Sequence, residues 1–226
     1  MGLTRLAFIL LTVLSFAQEY HKQYPVECEY AVKFYGEYKI GFDNVAEKTN
    51  LDSKFVFSIV APEITQFNYL SNIAETYSLK VLYVQGGKNY SDFSIGYFQM
   101  KPSFIEEIES FLNGNENLRN KYIECLIDKT SERATRVERV KKLESVEWQL
   151  KYLSVFCDIL KFRFGYKKFD NENDKLRFYA AAYNTGFHRS QSEIEKISQL
   201  PQFPHFSNKK YNYSEISLWF YNKCQL

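Results

Sequence analysis

Three short stretches hold the residue types and spacings that could do chemistry. In the first, Ser58-Ile59-Val60-Ala61-Pro62-Glu63, a carboxylate follows an apolar helical run. An acid placed after Phe55, Phe57, Ile59 and Val60 lies at the edge of a core, where desolvation keeps it protonated near neutral pH. Such a group can hand a proton to a leaving oxygen, the step that glycosidic cleavage requires. The second stretch, residues 91–104, gathers Asp92, Ser94, Gly96, Tyr97 and Gln99 around a turn before Pro102. The third, residues 179–187, carries Tyr183 and Asn184 on a small-residue helix that stops at Gly186. Together they are expected to line one cleft with Glu63 as its acid.

Each supporting residue has a chemical and a local reading. Gly96 leaves no Cβ in the way of a ligand approaching the backbone. Gln99 offers a donor and an acceptor to a sugar or to the acid, or else a hydrogen bond at a helix start. Asp92 either stands about 6.5–9.5 Å across the cleft to help an attacking water or caps the turn. Of Tyr97 and Phe98, one is expected as an exposed platform and one in the core. Asn184 is read as structural support, since Asn and Gly also serve helix ends in the left-handed region.

The elements that must position these groups read as helices. Residues 26–38 follow Pro25 and are interrupted at Gly41. A run from Leu51 should end or kink at Pro62, which lacks a backbone donor. Residues 70–85 stop at Gly86-Gly87. Ser103 is expected to cap a helix over 104–112, and 117–129 form a polar one. A single long helix over 131–164 buries one stripe and leaves Arg133, Arg136, Arg139 and Lys142 in water. Residues 174–183, 191–199 and 213–224 complete the set. Strand signal is poor, so the expected class is mainly α.

Composition narrows the function. With 29 basic and 27 acidic side chains, the chain lacks the excess that phosphate neutralisation needs, which argues against nucleic acid as the main partner. Arg5, the apolar residues 6–16 and Ser15-Phe16-Ala17 predict a cleaved leader over residues 1–17 and an exported single domain over 18–226; no later apolar run is long enough to span a membrane. Cys28, Cys125, Cys157 and Cys224 either form disulfides, which an oxidising compartment permits, or are buried thiols. His21, His188 and His205 are scattered and no Cys-x-x-Cys occurs, so a zinc site is not expected; cleavage by one acid in a tight cleft would call for no metal or organic cofactor either. Aromatics make up 18% of the chain; most must build the core, and some can present flat faces to sugar rings.

A helix-terminal Glu63, then Ser94-Ile95-Gly96-Tyr97-Phe98-Gln99-Met100, then Ala182-Tyr183-Asn184-Thr185-Gly186 resembles the soluble lytic transglycosylase family of the lysozyme-like superfamily. That family's signature is a Glu-Ser pair, a Gly-Leu-Met-Gln turn and an Ala-Tyr-Asn-x-Gly helix end, in this order. The resemblance implies a lysozyme-like domain that cleaves the β-1,4 bond between N-acetylmuramic acid and N-acetylglucosamine in peptidoglycan. Glu63 would be the acid and base, with a 1,6-anhydro product and no cofactor, and Tyr183 would hydrogen-bond the acid. Goose-type lysozymes in the same superfamily place an aspartate where Asp92 stands, which implies hydrolysis as the alternative. The chain departs from the signature at Ile64, which replaces the serine, and in the longer interval between Glu63 and Gly96. The missing serine keeps open a wall-binding or scaffold protein without turnover.

Overall fold

The computed structural model describes residues 19–67, 73–128, 130–204 and 207–223. The expected leader, the start of the helix expected from Leu70, His205 and Cys224 lie outside the described residues. The described chain is mainly helical: α1 (Pro25–Glu37), α2 (Lys39–Thr49), α3 (Ser53–Gln66), α4 (Ile73–Gly86), α5 (Pro102–Asn113), α6 (Glu116–Lys121), α7 (Glu132–Glu144), α8 (Val146–Phe164), α9 (Glu172–Thr185), α10 (Gln191–Ile197) and α11 (Tyr213–Lys223). A short antiparallel pair, β1 (Pro201–Phe203) with β2 (Tyr211–Asn212), precedes α11. No helix among the described residues is long and apolar enough to cross a membrane.

The central element is α3. Phe55, Val56, Phe57, Ile59, Val60 and Ala61 are all fully buried, the mark of a helix covered on every side. It packs against α1, α2, α9 and α11. Asp52 starts it by accepting a hydrogen bond from the Phe55 backbone N–H at 3.0 Å. Of the two outcomes expected at Pro62, an end or a kink, the end does not occur: four more residues follow. An interior proline costs about 3 kcal/mol, and burial of the surrounding apolar turns outweighs it. The hydroxyl of Tyr213 donates to the Ile59 carbonyl at 2.9 Å, giving this interrupted part of the helix a partner from α11.

Three further expectations change. Gly41 lies inside α2, where a Cβ would come within 2.5 Å of Leu150, so the glycine serves packing against α8. The expected long helix is two. Ser145 takes extended backbone between α7 and α8, and Gln149 of α8 donates to the Leu143 carbonyl at 2.6 Å, satisfying the end of α7. The basic face is solvated only in part: Arg133 is exposed and Arg136 half-buried. Arg139 and Lys142 are buried rather than solvated: Arg139 is held by Glu109, Glu106 and the Tyr83 hydroxyl, and Lys142 donates to the Glu124 carbonyl and lies over the Trp148 ring.

The polar helix expected over 117–129 is shorter, as α6 gives way to a 3₁₀ turn at Ile123–Cys125. Cys28, Cys125 and Cys157 are buried, and no disulfide occurs among the described residues.

Candidate functional site

The three sequence stretches meet along one cleft of about 260 Å³. Helix α3 contributes Glu63, the 91–104 turn contributes Asp92, Ser94 and Gln99, and the end of α9 contributes Tyr183 and Asn184. Gly96 and Tyr97 are not on the cleft wall. Gly96 has φ +73°, and a Cβ there would lie 1.7 Å from the Gln149 amide nitrogen and 2.7 Å from the Leu143 carbonyl oxygen. The glycine is therefore required by the protein's own packing, not by a ligand's approach. Tyr97 stacks on Phe67 with ring centroids 4.0 Å apart and also meets Phe34. Phe98 is fully buried.

The turn is held from below. Gln149, fully buried, accepts the Phe98 backbone N–H at 2.8 Å while donating to Leu143. Ile95 and Met100 exchange backbone hydrogen bonds across the turn. Gln99 occupies the left-handed region, φ +50°, and its amide nitrogen donates to the Gly96 carbonyl at 2.6 Å. This bond is local, but it closes the Gly96 turn rather than the helix start expected for it; the Gln99 carbonyl oxygen is left for the cleft.

Glu63 is partly exposed at the cleft floor. Burial pushes its carboxyl up to about 8, while the Lys101 charge pulls in the opposite direction. Among the described residues no hydrogen bond or ion pair holds the carboxyl. Two phenols flank it: burial first, and then the Glu63 charge, hold both Tyr183 and Tyr213 well above the ordinary tyrosine value. The Tyr183 hydroxyl donates to the Phe98 carbonyl at 2.6 Å, so its one proton is directed to the turn and not to the acid. Ile64, where the resembled family has serine, is fully buried.

Asp92 accepts both the backbone N–H and the hydroxyl of Ser103, at 3.0 and 2.8 Å. It thereby caps the start of α5, the role the sequence assigned to Ser103. Its carboxylate still opens on the cleft. The Asn184 side chain lines the cleft without a hydrogen bond among the described residues, so the support expected of it is not made through its amide.

Two lining residues lie outside the three stretches and escaped the sequence reading: Glu107 and His188. Ser103 and Glu107 are one helical turn apart and so share a face of α5, a signal that would have found Glu107. His188 follows the Gly186 helix stop by two residues and had no comparable signal.

Compared with known proteins, the chain matches no protein-family model, no curated protein and no solved structure.

Proposed function

We propose that this is a peptidoglycan-cleaving enzyme of lytic-transglycosylase type on a lysozyme-like fold, with Glu63 as its general acid and base. The observation that carries the reading is the placement of Glu63: a carboxyl that follows the buried apolar turns of α3, lines the cleft with Gln99 and Tyr183, is held by no ion pair among the described residues, and is pushed upward by burial. An acid in this state is protonated at neutral pH and poised to donate.

In the proposed reaction Glu63 protonates the oxygen leaving from C1 of N-acetylmuramic acid. The 6-hydroxyl of the same sugar attacks C1 and passes its proton to the Glu63 carboxylate. The C1–O bond to N-acetylglucosamine breaks, the 1,6-anhydro bond forms, and the acid returns to its starting state. No water is consumed and no second carboxylate is needed. That requirement fits Asp92, whose two oxygens are engaged by Ser103.

Export to the cell envelope belongs to the same proposal. The test is incubation of the purified chain with cell-wall sacculi and mass spectrometry of what is released. Anhydro-muropeptides are expected; reducing ends would mean hydrolysis, and pelleting with the wall without release would mean a binding protein.

A further inference from the structure

The cleft that holds the acid also holds a second titratable arrangement that this reaction does not use. His188 Nδ1 is 3.0 Å from a Glu107 carboxylate oxygen, and both side chains line the same cleft as Glu63. Several features build the imidazole into place. Gly186, at φ +107°, leaves the space the ring occupies; a Cβ there would come within 2.6 Å of His188 Cε1. Arg163 of α8 donates to the backbone carbonyls of His188 and Arg189 at 3.1 and 3.2 Å, and Arg189 donates to the Thr185 carbonyl at 2.8 Å. The loop after α9 is thus tied to two helices.

A carboxylate facing Nδ1 selects the tautomer with its hydrogen there, which leaves Nε2 as a bare acceptor. Among the described residues Glu107 is the ring's hydrogen-bond partner, and Nε2 has none.

We infer that His188, oriented by Glu107 over Gly186, is a glycan-binding residue whose neutral Nε2 accepts a hydrogen bond from a sugar hydroxyl or N-acetyl N–H in the cleft. The inference rests on the carbohydrate reading of the cleft and extends it to a residue outside the sequence resemblance. Protonating the ring places a hydrogen on Nε2 and removes the acceptor, so binding weakens in acid. The charged and titratable groups around it are Glu107 on α5, Arg163 on α8, Glu193 on α10, and Glu63, Asp92 and Lys101 on the lining of the same cleft.

The experiment uses the full chain with Glu63→Gln, which removes the acid's own titration, and chitotetraose as the probe in calorimetric titrations between about pH 8 and about pH 5. His188→Ala should weaken binding about five- to tenfold at the higher pH, the scale of one lost hydrogen bond. His188→Gln should recover most of the affinity through its amide oxygen and lose the weakening in acid. Equal affinity for His188→Ala, a His188→Gln variant that keeps the acid dependence, or no binding by any variant overturns the inference. Release from sacculi by the unsubstituted chain is measured alongside. Binding through His188 without release sustains this inference and removes the turnover reading, whereas normal release with unchanged binding in His188→Ala does the reverse.

Discussion

The hydroxyl of Tyr183, near the end of α9, donates to the backbone carbonyl of Phe98 at 2.6 Å, joining two segments 85 residues apart. This single bond ties one wall of the cleft to the turn that forms the other. Tyr183→Phe keeps the ring's packing on Phe104 and Phe156 and removes only the donor. Leaving a buried carbonyl unpaired costs about 1–3 kcal/mol, which at this chain length lowers the thermal midpoint by about 2–4 °C per kcal/mol. A melting curve unchanged from the parent would show that the bond does not brace the cleft.

Glu63→Gln is expected to abolish release from sacculi and to stabilise the fold in a pH-dependent way. The folded-state value lies above the ordinary 4.5, at about 8, so the folded protein holds this proton more tightly than the unfolded chain does. Its contribution is fully present below about 4.5 and is lost as pH rises toward about 8. At pH 7 the loss is on the order of 3 kcal/mol, reduced by whatever water reaches the carboxyl. Glutamine removes that loss. The difference in melting midpoint between variant and parent should be small near pH 4.5 and widen toward pH 8. A constant difference across that range argues that Glu63 is solvated and ionised, and the acid role fails with it.

What the sequence made visible was local, and what it hid was tertiary. Glu63, Gln99, Tyr183 and Asn184 stand beside helix stops, a turn or an apolar periodicity, all readable within one or two turns of chain. Gln149, which holds the Gly96 turn from α8, carries no such mark: a glutamine in an apolar helix looks like a surface residue until its two backbone partners are seen. The helix runs on past Pro62 for the same reason, since the local cost of the proline is overridden by helices packed around α3. Arg139 and Lys142 looked like a solvated face because helical periodicity shows one buried stripe, and their partners come from α5 and from the segments around Tyr83 and Glu124.

Gly96 and Gln149 should behave as one unit. Gly96→Ala would drive a Cβ into the Gln149 amide and strain a backbone at φ +73°. Gln149→Ala leaves the Phe98 N–H and the Leu143 carbonyl without their partner and opens a cavity in a fully buried site, at about 2–4 kcal/mol. In the double variant the nearer collision partner, the Gln149 amide, is gone while the Leu143 carbonyl oxygen remains, so the cost of the double variant should fall below the sum of the two single costs by about 1 kcal/mol or more. Denaturant titrations of the four proteins measure this directly; strict additivity would place the clash elsewhere.

Asp92 separates the two chemistries weighed for this cleft. If its work is to hold Ser103 at the start of α5, Asp92→Ala costs about 1 kcal/mol as a lost helix cap and leaves release from sacculi within about threefold. Under the proposed reaction the products should remain anhydro-muropeptides, because there the 6-hydroxyl of the sugar, not water, attacks C1. If instead Asp92 prepares the attacking water, its removal strips the reaction of a general base, a loss of about 100-fold or more, and the parent's products carry reducing ends. Mass spectrometry reads the product and a rate assay reads the loss, so one substitution tests both. A 100-fold fall in rate with the fold intact would assign Asp92 to the chemistry and shift the proposed enzyme from transglycosylase to hydrolase.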